Sequence, residues 1–253
     1  MNELDDAALG SALDRVLAYM ARLGFAVRAP VRAHFRVGLR AMATMFPTRD
    51  GFGILVSDLA LGAGPIEGLL AHELSHVYRM DSGHPSHDDD AITAAYESLP
   101  RRAQEHEYQR TFLHHAINIT QDLYADHIGF RVMKDLGITD QEDLDALLEG
   151  FLTEDPFDII DPREHRWDVM HDVVSNARAI TMIRRAGTAA ALSRAQAKQA
   201  RLLAKIPADI ARQAAWFQQL FDEGLPEETT RERFEATLIE YVRRFAAVAD
   251  GDL

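Results

Sequence analysis

The chain has no cysteine among its 253 residues. Disulfides, thiolate metal ligands and a cysteine nucleophile are excluded by that one absence. Positive charge is also scarce. Against 40 Asp and Glu there are 27 Lys and Arg, a net charge of −13, and no basic patch stands out. Neither nucleic acid nor an anionic membrane is therefore expected as a partner. No apolar run approaches the ~20 residues that a membrane-crossing helix needs. Residues 1–6 are acidic where a secretory signal would be basic, so a cytoplasmic protein is expected. Fixed-period repeats and low-complexity tracts are missing too.

What the chain does have is apolar material, 47% of its residues, enough to bury a substantial core. Leu4, Ala8, Leu13, Val16, Leu17, Met20 and Leu23 recur at helical spacing up to Gly24. Residues 25–29 and 31–37 then alternate apolar with polar or small side chains, and 51–56 follow a turn signal at 47–50. This reads as a small antiparallel sheet of about three strands. Gly62, Gly64 and Pro65 punctuate the chain before a helix expected over 65–80. Further helical patterns cover 91–98, 102–134, 140–152, 167–185, 188–204, 207–223 and 226–248. The expected class is α+β and mostly helical, with the sheet preceding the 65–80 helix and a helical C-terminal part.

The 65–80 helix carries His72-Glu73-Leu74-Ser75-His76. Two histidines four apart lie about 40° apart around a helix, so both imidazoles can reach one ion from one face. Glu73 then stands beside that ion rather than on it, where a general base for an activated water belongs. Ile66, Leu69, Leu70, Leu74 and Val77 supply an apolar face for burial. Zinc is the metal this pattern implies, and a catalytic zinc needs a third protein ligand and an open position. Without cysteine that ligand is His, Asp or Glu. His115, Asn118, Asp122 and Asp126 share one side of the 102–134 helix, at spacings of 3, 4 and 4. Because that helix is apolar nearly all round, its carboxylates need a cation or hydrogen-bond partners. Asp122, Asp126, His127, Glu105 and His171 all remain open as the third ligand.

With H-E-x-x-H on one helix and Asp122-Leu123-Tyr124-Ala125-Asp126 on the next, the sequence resembles the gluzincin metallopeptidases. The likeness is to the prenyl-protein-peptidase-like group and the minimal gluzincin scaffolds, over residues 50–135. That family pairs H-E-x-x-H with E-x-x-x-D. The resemblance implies Asp122 as third ligand and Asp126 as the group that orients a ligand histidine. Asp122 departs from the pattern: it is one methylene shorter than the usual glutamate, so the two helices must approach more closely. Aspzincins do use aspartate, and Thr120-Gln121-Asp122 is similar to their T-x-D, though the rest of their signature is missing. The resemblance further implies a zincin-like domain over 1–137, with 138–253 packed on it or part of one single domain.

The expected function is zinc-dependent endopeptidase action on a peptide or protein substrate. His72, His76 and Asp122 hold the metal, Glu73 is the general base, and the strand near 53–56 aligns the peptide. A zinc-binding protein without proteolytic activity, and hydrolysis of a non-peptide amide, are the alternatives. His115, Tyr124, His171 and Arg178 are candidates for stabilising an oxyanion. The polar stretch 84–90 reads as a solvated loop, or as a gate or second ion site.

Overall fold

A computed structural model describes residues 6–60, 65–156, 159 and 161–253. The start of the first expected helix at Leu4, and the glycine break at 62–64, lie outside the described residues. The α+β class holds: a three-stranded sheet is followed by helix after helix. The chain divides into two compact units, 1–87 with 124–140, and 88–123 with 141–253.

In the first unit, helix α1 (Asp6–Arg22) stops at Gly24, whose φ of 91° suits a residue without a Cβ. Strands β1 (Val31–Arg36), β2 (Ala43–Thr48) and β3 (Gly51–Ser57) form a sheet ordered β1-β3-β2. The sheet is mixed, not wholly antiparallel. The β2–β3 pair is an antiparallel hairpin around Arg49 and Asp50, while β1 runs parallel to β3. Residues 25–29 form no strand, and 43–48 do. Two consequences follow. β3 sits in the middle with both backbone edges paired, so it cannot align a peptide as expected for 53–56. β1 and β2 are the edge strands, and β2 packs on helix α2 (Ile66–Asp81). Pro47 within β2 is compatible only with such an edge.

The core of this unit joins Leu9, Leu13, Val16 and Met20 of α1 to Ile54 and Val56 of β3 and to Leu70 and Leu74 of α2. Ile128 and Val132 complete it. These two belong to helix α4 (Glu107–Asp135), one unbroken helix whose residues are shared between the two units. Each such aliphatic side chain contributes roughly 1.5–3 kcal/mol on burial.

The second unit is helical. After α3 (Asp89–Glu97) and a 3-10 turn come the first part of α4, then α5 (Gln141–Gly150), α6 (Pro162–Ala186) and α7 (Ala189–Leu203). The helix expected over 207–223 is broken into α8 (Ala208–Ala211), α9 (Ala214–Gln219) and a π-turn at Leu220–Gly224. The last helix is α10 (Arg231–Asp250). Tyr241 of α10 is fully buried between Phe217 and Phe221, each edge-on at 5.9 Å, and donates to Ala116 O at 3.0 Å.

Candidate metal centre

Helix α2 presents the two histidines from a segment that is otherwise core. Leu70, Leu74 and Val77 are fully buried, so the helix cannot rotate without exposing them. His72 and His76 lie on its half-buried side, and Glu73 between them is 7% exposed. Helix α4 is held against α2 in a fixed register. The buried Arg79 donates from Nε and Nη2 to the carbonyl of Tyr124, at 3.3 and 3.1 Å. Gly129 lies against the backbone of His72; a Cβ added there would stand 3.5 Å from His72 Cα. A small residue at this position, glycine or alanine, lets the two helices lie close together.

Asp122 and Asp126 are one turn apart on α4 and have different surroundings. Asp126 is 2% exposed, and its Oδ1 lies 2.9 Å from Nδ1 of His72. A carboxylate only accepts, so the imidazole proton sits on Nδ1 and Nε2 keeps its lone pair. Nε2 of His72 lies 3.2 Å from Nε2 of His76. Two imidazole nitrogens bound tetrahedrally at ~2.0–2.1 Å to one ion stand roughly 3.3 Å apart, so the pair is already at coordinating distance. Asp122 completes the group: one ligand atom from each of His72, His76 and Asp122 lies within 4.8 Å of the others. This is the one such cluster of three among the described residues. His127, Glu105 and His171 are not part of it. Two imidazoles and a carboxylate suit a borderline-soft divalent ion with room for water.

The stretch 84–90 is more than a solvated loop. Gly83, at φ 69°, turns the chain back, and the 3-10 turn Pro85–His87 places Nε2 of His87 2.8 Å from Nδ1 of His76. Burial, and then the positive charge that His76 and His84 would carry, push the His87 pKa down to about 2 and keep it neutral. Sequence reasoning missed this contact because 11 residues across a turn follow no helical or strand period.

The candidate oxyanion groups are spread out. Arg178 of α6 has Nη1 3.7 Å from Oδ2 of Asp122. The Tyr124 ring lies tilted against His84, centroids 4.8 Å apart, with the Arg79 guanidinium over it. His115 and His171 lie 5.6 Å apart on α4 and α6; burial and then His114 lower the pKa of His115, and burial and then His115 lower that of His171 to about 4.

Among the described residues, no helix is long and apolar enough to cross a membrane. Neither a curated protein nor a solved structure matches the chain. Residues 29–247 match a family of unknown function, DUF5781, a span that holds the sheet, the metal-type cluster and nearly every helix, and the chain belongs to that family.

Proposed function

We propose that the protein is a zinc-dependent hydrolase of peptide bonds, cytoplasmic, with a peptide or protein as substrate. The observation that carries this reading is the convergence of His72, His76 and Asp122, with the His72 lone pair directed at His76 by Asp126. Zinc held by these three supplies a Lewis acid, which acidifies water and polarises a carbonyl. Glu73, next to His72 on α2, takes a proton from the attacking water and returns it to the leaving amine. Asp126 fixes the His72 tautomer, and Arg79 fixes α4 against α2. An extended substrate docks along the β2 edge.

One observation favours a second reading, a zinc-binding protein without proteolysis. Arg178 at 3.7 Å draws on the Asp122 carboxylate and weakens it as a donor. The same two-histidine, one-carboxylate set also suits ferrous iron, which metal analysis distinguishes. The deciding experiment is Glu73→Gln assayed on a peptide library beside wild type. The hydrolase reading expects unchanged metal content and a loss of about 10²–10⁴-fold in rate. Metal-loaded wild type that cleaves nothing supports the binding protein; equal cleavage by the variant rejects Glu73 as the base.

A further inference from the structure

The hydrogen bonds around His76 have a direction, and a backbone amide sets it. Ser86 N–H lies 3.2 Å from Nδ1 of His84, and an amide N–H can only donate. Nδ1 of His84 is therefore the unprotonated nitrogen. Ser86 Oγ, 2.8 Å from the same atom, must donate to it as well. That hydroxyl has spent its one proton, so toward Nδ1 of His87, also at 2.8 Å, it accepts. His87 is consequently protonated on Nδ1 and carries its lone pair on Nε2. Nε2 of His87 is the atom 2.8 Å from Nδ1 of His76, which then donates. His76 is left with its lone pair on Nε2, the nitrogen facing His72. Ser86 is fully buried, which shields the middle of the chain from water that could reverse it.

We propose that His87 is a positioning residue for the metal centre, wired through Ser86 and His84 to hold His76 with its Nε2 lone pair toward the ion. The two ligand histidines are thereby oriented by unlike partners. A buried carboxylate, Asp126, holds His72 and a neutral imidazole holds His76. The anionic partner raises the donor strength of His72, while the neutral one fixes His76 without adding charge to the site. The role of His87 toward a metal rests on the zinc reading above; the direction of the relay does not.

The test has two arms on the full-length chain. In the first, long-range proton–nitrogen NMR on metal-free wild type reads the imidazole tautomers. His76 and His87 are expected as Nδ1–H and His84 as Nε2–H. A proton on Nε2 of His76 overturns the proposal whatever the metal does. In the second, zinc affinity is measured by chelator competition, and cobalt-substituted spectra are recorded. His87→Ala is expected to lose about 10–100-fold in affinity and to shift the cobalt bands. His87→Gln, whose amide oxygen accepts from Nδ1 of His76, is expected to recover most of both. Wild type that binds zinc tightly, with His87→Ala unchanged in affinity and spectrum, overturns the positioning role alone. Wild type that binds no zinc overturns the metal reading, and the tautomers still decide the relay.

Discussion

The polar groups around α2 and the buried carboxylates of α6 behave in opposite ways. On α2 and its neighbours, His72, His76, His87, Ser86 and Asp126 each have a partner within 2.8–3.2 Å, and their donors and acceptors run in one sense toward a shared point. On α6, Asp168 and Asp172 lie one turn apart, 8% and 5% exposed, and each has an Oδ2 with no hydrogen-bond partner among the described residues. Burial first, and then the charge of Asp168, raise the Asp172 pKa to about 7. A displaced pKa occurs in both regions, at His87 and at Asp172, so what distinguishes them is whether the polar atoms are paired and converge. The two regions test each other.

The largest effect is expected where convergence is broken at its ends. His72→Ala or His76→Ala should lower zinc affinity by about three orders of magnitude, read by chelator competition. Substitutions on α6 such as Asp172→Asn should leave that affinity unchanged. If they lower it comparably, the contrast between the regions fails.

The second effect belongs to α6. The folded pKa of Asp172 is raised, so between roughly pH 4 and 7 the native chain binds a proton that the unfolded chain has released. Stability from this group is greatest below the unfolded pKa and is lost as pH rises toward 7. Asp172→Asn removes the loss. Its advantage over wild type in denaturant titrations should grow from near zero at about pH 4 to on the order of 2–4 kcal/mol above pH 7. His171, with its pKa lowered to about 4, works in the opposite sense. It contributes stability above about pH 6.5 that is lost on acidification, so the variant must be compared with wild type at each pH. A pH-independent difference would show that Asp172 is ionised in the fold.

The smallest effect separates contact from convergence at Gly129. Alanine there makes only ordinary contact with His72. Gly129→Ala should leave zinc binding intact and stabilise the chain by about 0.5–1 kcal/mol through helix propensity. Gly129→Leu should destabilise by roughly 1–3 kcal/mol and weaken zinc by prising α4 from α2. Equal zinc affinity in both variants would mean that the approach of the two helices does not set the site.

Legibility in the sequence followed the range of the interaction. His72, Glu73 and His76 are written in one helical turn, and Asp122 and Asp126 in another, so period and spacing reveal both halves. The helices α1, α2, α5 and α7 were readable for the same reason. The pairing of β1 with β3 depends on which edge the hairpin leaves open, and no local pattern in 31–36 records it. Residues 25–29 alternate like a strand yet have no ladder to join. The π-turn at Leu220–Gly224 interrupts a segment whose period is helical throughout. The contact from His87 to His76 requires the reversal at Gly83, and only the folded chain brings the rings together. Gly129 did leave a signal, since a glycine inside a strong helix costs about 1 kcal/mol and usually has a packing reason.

The central claim is that Asp122, despite being shorter than glutamate, joins His72 and His76 on one metal ion. It is tested most directly by elemental analysis of wild type and Asp122→Ala, each loaded with zinc and dialysed against a weak chelator. The account predicts one zinc per wild-type chain and a largely empty Asp122→Ala whose circular dichroism is unchanged. Equal zinc in the two proteins, or none in wild type, would contradict it.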